Sequence, residues 1–233
     1  MFDGKNKAVT FSFDDGVTQD IRFIELLNKY NLKGTFNINS ERLGKSGTLT
    51  YDGITINHNK VNKEDVKHIY DGHEVAVHTL THPNLTQIED DHEVLRQVEQ
   101  DRLNLSEMVN YEVLGMAYPC GGVNCNDHVA DLIKNNTPIK YARTIGVTKS
   151  FDPYPDLYQY KGTIAPFSCW DILFDMGKEW INLKTDTPKV FYIWGHSYEF
   201  DFYPERWEIF GEFCKMISNQ PDTFYGTNLE ILG

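Results

Sequence analysis

Long hydrophobic runs are missing from this sequence. No stretch approaches the ~20 consecutive apolar residues that a membrane-spanning helix requires, so no membrane partner is expected. Residues 1–5 also lack the apolar core of a signal peptide. As written, the sequence predicts a cytoplasmic protein, and a secreted protein whose leader had been trimmed would have the same sequence.

Cysteine and positive charge are both scarce. The four cysteines form no CxxC pair, which favours reduced thiols over a disulfide and disfavours a cysteine-ligated zinc. The chain has 22 lysines and arginines against 34 aspartates and glutamates, so its net charge is −12. This acidity argues against nucleic acid or an anionic membrane as the main partner, because both are negatively charged. The sequence specifies no oligomeric state.

Strand-like and helix-like segments alternate along the chain, and we expect one domain over residues 1–233. β-branched and aromatic runs predict strands at 8–13, 34–38, 74–78, 113–118, 140–144, 189–194 and 223–225. Helical patterns are found around Ile21–Leu27 and at 62–70, 89–109, 126–135, 168–183 and 204–217. Residues 40–61 are predicted to form a long loop with a hairpin at Asp52-Gly53, and residues 150–160 a second loop.

This alternation predicts an α/β fold with parallel strands and right-handed crossovers. An open doubly wound sheet and a (β/α) barrel both satisfy it. We favour a barrel of seven or eight mostly parallel strands, because the candidate polar residues directly follow strands, where the active sites of such barrels lie. No glycine-rich phosphate loop follows the first strand, so a nucleotide site is not supported.

Two adjacent carboxylates, Asp14 and Asp15, end the first predicted strand. Their mutual repulsion at a buried position would be relieved by a cation. One of them can then bind a metal while the other acts as a base, and the residues alone do not assign the two roles. The alternative is a solvated Asp-Asp-Gly turn.

His78 and His82 are four residues apart and follow another predicted strand. Pro83 favours a tight turn over a helix there, and Thr79 stands where zinc proteases with the HExxH motif carry a glutamate. Together with an aspartate, two neutral imidazoles suit zinc or a similar divalent ion. We therefore predict one divalent ion, with Zn²⁺ favoured. The alternative is a pair of hydrogen-bonding loop histidines.

His196, Arg143 and Trp194 lie at or near other strand ends. His196 suits a general acid, and Arg143 can keep Asp14 ionised. Trp194 is the best pocket wall among the four tryptophans. Each also has a structural alternative: His196 as a packed histidine, Arg143 in a salt bridge on the barrel rim, and Trp194 as a core residue. The remaining histidines are interpreted as loop or helix-surface residues, namely His58, His68, His73, His92 and His128.

These motifs resemble the polysaccharide deacetylase family, which includes chitin and peptidoglycan N-acetylglucosamine deacetylases. Residues 10–16 (TFSFDDG) are similar to its first motif, residues 72–83 (GHEVAVHTLTHP) to its second, residues 118–121 (YPCG) to its third and residues 192–196 (YIWGH) to its last. The resemblance covers nearly the whole chain and implies a distorted barrel.

The resemblance also implies residue roles. The first aspartate, Asp14, would be the catalytic base, and Asp15 would complete the metal site with His78 and His82. Tyr118, Pro119 and Cys120 would form a groove wall with an oxyanion-stabilising N–H at Cys120. His196 would be the general acid.

The chain departs from the family pattern at two positions. Ala117 stands where an arginine that pairs with the catalytic aspartate is common, and Arg143 from the next strand is expected to replace it. Cys120 stands where an aromatic residue is common. The family's fourth motif has no clear counterpart, and Trp170-Asp171 is the only candidate.

The function expected from these residues is metal-dependent removal of N-acetyl, or O-acetyl, groups from an amino-sugar-containing oligo- or polysaccharide. Three alternatives remain open. A hydrolase of non-carbohydrate amides would use the same scaffold. A non-haem iron oxygenase uses a similar ligand set, usually on an all-β fold. A carbohydrate-binding domain without catalysis would not require Asp14 and His196.

Overall fold

The computed structural model describes residues 2–233 and contains ten strands and seven α-helices in that range. The strands are β1 (Lys7–Asp14), β2 (Gly34–Ile38), β3 (Thr48–Tyr51), β4 (Ile54–Asn57), β5 (Glu74–Val77), β6 (Gly115–Ala117), β7 (Tyr141–Val147), β8 (Tyr160–Gly162), β9 (Lys189–Gly195) and β10 (Thr223–Tyr225). The helices are α1 (Asp20–Lys29), α2 (Val66–Ile69), α3 (Asp91–Val109), α4 (Asp127–Asn136), α5 (Leu173–Asn182), α6 (Arg206–Ile217) and α7 (Asn228–Leu232).

Eight of the strands form one parallel sheet in the order β10-β1-β2-β5-β6-β7-β8, with β9 also paired to β1. β9 lies on one side of β1, and β2 and β10 share its other side. Beyond β8, Thr163 N–H donates to Tyr192 O (2.8 Å) and Trp194 N–H donates to Ile164 O (3.0 Å). These bonds join the two edges of the sheet, and the predicted distorted barrel is confirmed.

Burial explains why β1 is central. All eight of its residues are buried, as expected for a parallel strand covered on both faces. Phe23 from α1 stacks on Phe13 from β1 with ring centroids 3.9 Å apart, and Phe210 from α6 lies 5.8 Å from Phe23. This aromatic packing fixes the helices against the outside of the barrel.

The floor of the barrel, at the amino ends of the strands, contains buried polar residues. Glu74 Oε2 accepts hydrogen bonds from Thr35 Oγ1 (2.7 Å) and Leu229 N–H (2.9 Å). Asn228, the first residue of α7, accepts from Thr10 Oγ1 (2.8 Å) and donates to Tyr192 OH (2.7 Å). Helix α7 therefore closes the floor by hydrogen bonding.

Each predicted strand appears, and so does the hairpin, formed by β3 and β4 with Asp52 and Gly53 at φ 49° and 75°. Two predicted helices differ. The one expected from Ser168 begins at Leu173 after a short 3₁₀ turn, and that expected at 62–70 is a 3₁₀ turn followed by the four-residue α2. The short elements β8 and α7 were not predicted.

Within residues 2–233, none of the helices combines the length and the apolar character needed to cross a bilayer. The four cysteines are free thiols, namely Cys120, Cys125, Cys169 and Cys214.

Candidate active site

A pocket of about 420 Å³ opens at the carboxyl ends of the strands. It contains nearly all of the site residues that the sequence predicted. The residues that line it are Asp14, Asp15, His78, His82, Tyr118, Cys120, Gly121, Ile145, Ser168, Trp194, His196 and Tyr198. A larger groove of about 680 Å³ lies between α4 and residues 155–159, but it holds none of these side chains.

Asp15, His78 and His82 each offer a ligand atom, and these atoms lie within 4.8 Å of one another. His82 Nε2 is 3.5 Å from Asp15 Oδ1, and His78 Nε2 is 4.0 Å from the same oxygen. Two imidazole nitrogens and one carboxylate oxygen form a common ligand set for zinc with open positions.

The environment of the two rings also fits a metal. His78 Nδ1 lies 2.9 Å from the carbonyl oxygen of Ala117, to which a protonated Nδ1 donates, so Nε2 keeps its lone pair facing Asp15. Burial lowers the pKa of His78 to about 4 and also lowers the pKa of His82. Both rings are therefore neutral at pH 7, which is the form that binds a metal. The residues present fit a divalent ion.

Buried polar groups hold the turn that carries the two histidines. Asn39 Nδ2 donates to Thr79 O (2.8 Å), Gln97 Oε1 accepts from Thr81 N–H (3.1 Å), and Asp101 Oδ2 accepts from His78 N–H (3.2 Å). Thr79 and His82 have φ 66° and 68°, values that L-residues rarely adopt. The fold thus enforces a strained backbone at this turn.

Residues that sequence reasoning missed also contact Asp15. His58 Nε2 lies 3.2 Å from Asp15 Oδ2, and Lys60 Nζ lies 3.5 Å from Asp15 Oδ1. Burial raises the pKa of Asp15, but the hydrogen bond from His58 and the charge of Lys60 outweigh it, so the pKa is well below its usual value. His58 lies in a loop, as interpreted, but its contact with Asp15 was not predicted, and nothing local in the sequence distinguishes it.

Asp14 lies beside the metal set in a separate network. Arg143, which is fully buried, binds both of its carboxylate oxygens through Nη2, and Asn37 Nδ2 donates to Oδ1 (2.8 Å). Burial raises the pKa of Asp14, but the charge and hydrogen bonds of Arg143, together with the charge of His196, outweigh it and lower the pKa overall. Asp14 is therefore ionised at neutral pH.

His196 lies on the other side of Asp14, with Nε2 3.9 Å from Asp14 Oδ2. Its Nδ1 is 3.0 Å from Glu199 Oε1, and its backbone N–H donates to Glu199 Oε2 (3.2 Å). Burial disfavours the charged ring, but Glu199, Asp14 and Asp15 outweigh it and raise the pKa of His196 to about 9. Sequence reasoning missed Glu199, although its i+3 position after His196 is a usable signal.

The other predicted wall residues separate into two groups. Tyr118, Cys120 and Trp194 line the pocket, and Asn124 Nδ2 holds the turn between them by donating to Tyr118 O (3.1 Å) and Cys120 O (3.1 Å). Pro119 is buried behind this wall and does not line the pocket. The candidate fourth-motif residues, Trp170 and Asp171, also lie outside the lining.

Comparison with known families agrees with the motif analysis. The family model described as polysaccharide deacetylase matches residues 3–141, which is more than half of the chain. Among curated protein sequences, no significantly similar relative is found.

Solved structures share the fold at low identity. The peptidoglycan deacetylase PdaC from Bacillus subtilis is 18% identical, with 97% of this chain and 90% of that chain covered at a TM-score of 0.55. A family 4 carbohydrate esterase from Streptomyces lividans, solved with acetate, is 12% identical over 96% and 93% of the two chains, with a TM-score of 0.56. A CE4 family pseudoenzyme from Bacillus anthracis is 17% identical over 98% and 66%, with a TM-score of 0.58.

Proposed function

Since the chain belongs to the polysaccharide deacetylase family, we propose that it is a metal-dependent hydrolase that removes N-acetyl groups from an amino-sugar-containing oligo- or polysaccharide. The observation that carries the proposal is one pocket in which a candidate metal set adjoins two further catalytic candidates. The set is Asp15, His78 and His82, and the adjoining residues are Asp14 and His196.

Asp15, His78 and His82 would hold the metal. When bound, a divalent ion would polarise the acetyl carbonyl and stabilise negative charge on its oxygen. The neutral rings of His78 and His82 need not lose a proton before they bind it. Zinc is the ion that this N, N, O set suits best.

Asp14 is the proposed general base. Its carboxylate is ionised, and Arg143 and Asn37 fix its orientation, so it can accept a proton from the attacking water without first losing one. Arg143 comes from β7. Its contact with Asp14 supports the expectation that it replaces the arginine that is common in the family at the position of Ala117.

His196 is the proposed general acid. Because Glu199 keeps the imidazole protonated at neutral pH, a proton is available for the departing amine, which is a very poor leaving group as an anion. The ring and the Asp14 carboxylate lie side by side, so one reacting amide can reach both.

The pocket walls suit a sugar carrying an acetyl group. Tyr118, Trp194 and Tyr198 give apolar faces beside polar ligands. The backbone N–H of Cys120 is the proposed donor to the oxyanion, and Cys120 has φ 70°.

Acetate release from a panel of N- and O-acetylated saccharides, assayed with chelator and with added Zn²⁺, tests the proposal. We expect release from amino sugars that requires metal, and loss of at least about 10²-fold in Asp14→Asn with the metal retained. Release from non-sugar amides alone would instead favour the amidase alternative. Saccharide binding without any release would make this chain comparable to the pseudoenzyme from Bacillus anthracis.

A further inference from the structure

Lys60 is a buried lysine beside the proposed metal set. It is 5% exposed, whereas lysines are almost always solvent-exposed unless paired. Its Nζ lies 3.5 Å from Asp15 Oδ1, and His82 Nε2 lies 3.5 Å from the same oxygen. The fold therefore places the positive charge of Lys60 beside the Asp15 oxygen that faces both histidine ligands.

The backbone around Lys60 fixes this placement. Residues 58–61 return from the β3–β4 hairpin and lie antiparallel to the turn that follows Asp15, with Val17 and Lys60 forming a bridge. Val61 N–H donates to Gly16 O (3.0 Å), and Lys60 N–H donates to Lys45 O (2.9 Å). The segment is thus tied on one side to the Asp-Asp-Gly turn and on the other to the start of the hairpin.

We propose that Lys60 weakens the binding of divalent ions by this centre. The inference rests on the metal site of the proposed function. An ion held by Asp15 would lie close to a second positive charge in a poorly solvated place, where like charges repel more strongly than in water. Lys60 also competes with the ion for the same carboxylate oxygen.

An ordinary structural role for Lys60 predicts the opposite result. If its ammonium only oriented Asp15, its removal would free the carboxylate to move and would weaken metal binding. The direction of the change in metal affinity therefore separates the two roles.

The experiment measures the Kd for Zn²⁺ of metal-stripped protein by competition with a chromophoric chelator, at one pH and ionic strength. Lys60→Met should lower the Kd at least tenfold, and Lys60→Arg, which keeps the charge, should stay close to the parent value. Lys63→Met is the matched control, because Lys63 is exposed and its removal changes the net charge equally.

An unchanged or higher Kd in Lys60→Met overturns the inference while leaving the metal site intact. If neither the parent nor the variant binds Zn²⁺, the metal site itself is wrong and the inference falls with it. Zn²⁺ binding by Lys60→Met but not by the parent supports it. Circular dichroism checks the fold, and Lys60→Gln replaces Lys60→Met, with the same expected direction, if the latter is unfolded.

Discussion

Arg143 and Asp14 are a buried ion pair whose partners come from strands far apart in the sequence. Because the positive charge of Arg143 lowers the pKa of Asp14 against the effect of burial, its removal should raise that pKa. Asp14 must be ionised to act as the proposed base, so the acidic limb of the pH profile of kcat/KM should move to higher pH in Arg143→Met. Arg143→Lys keeps the positive charge and should move the acidic limb less. An unmoved limb in Arg143→Met would show that Arg143 does not tune the base.

Glu199 sets the opposite limb of the same profile. As the proposed general acid, His196 must be protonated to donate, so activity should fall as the pH rises through its pKa of about 9. Glu199→Gln removes the nearest negative charge, lowers that pKa and should move the alkaline limb to lower pH by about one unit or more.

The matched control for Glu199→Gln is Glu205→Gln, because Glu205 is exposed at the start of α6. Metal content should be unchanged in both variants. An alkaline limb that is the same in Glu199→Gln as in the parent would contradict a role for Glu199 in keeping His196 protonated.

An individual site residue can be predicted from the sequence when a local sequence pattern marks it. Asp14 ends β1, and Asp15, His78 and His196 directly follow strands, so a pattern of polar residues at strand ends finds them. His58 and Lys60 have no such signal. They reach Asp15 only because residues 58–61 return from the hairpin, which is a tertiary contact that composition and periodicity do not encode.

Among the elements, α3 supports the proposed metal site without contributing a ligand. Gln97 accepts from Thr81 N–H with its side chain and from Leu80 N–H with its carbonyl oxygen (2.8 Å). Gln97→Ala removes the side-chain bond and should loosen the strained 78–82 turn, raising the Kd for Zn²⁺ by about tenfold or more.

Gln100→Ala is the control for Gln97→Ala, because Gln100 is exposed on the same helix and bonds only to Asn104. Both variants should retain the helical content of the parent by circular dichroism. Equal Zn²⁺ affinities in the two variants would mean that α3 does not position the histidines.

Short elements limit what the sequence predicts about the fold. β8 has three residues, and its central Lys161 is exposed, so neither hydrophobic alternation nor length marks it as a strand. Helix α7 has five residues, too few for a helical period to appear. The 19-residue α3, by contrast, lies wholly within the helix predicted at 89–109, because Val94, Val98 and Leu105 repeat on one face.

In the molecule as a whole, the two ends of the barrel have different tasks. The metal candidates lie at the carboxyl ends of the strands. Asn228 lies at the floor and forms hydrogen bonds with the hydroxyl groups of Thr10 and Tyr192. Asn228→Ala leaves two buried hydroxyl groups without these partners and should lower the free energy of unfolding by about 2–4 kcal/mol.

Urea denaturation of metal-free protein measures that loss, and Asn136→Ala serves as a surface control with little expected change. The Kd for Zn²⁺ of folded Asn228→Ala should match the parent value, since the site is at the other end. A large change in Zn²⁺ affinity would contradict this division of the barrel.

The position of β1 in the sheet has a consequence during protein synthesis. β1 is made before the other strands of the sheet, yet its neighbours β9 and β10 include residues as late as Tyr225, and Asn228 bonds to Thr10 within it. A ribosome-bound chain that has not yet released these residues holds an apolar strand with one side unpaired. We therefore expect nascent chains of this protein to need chaperone binding until residue 228 has been synthesised. Folding should also be slow, because it requires contacts between residues that are far apart in the sequence.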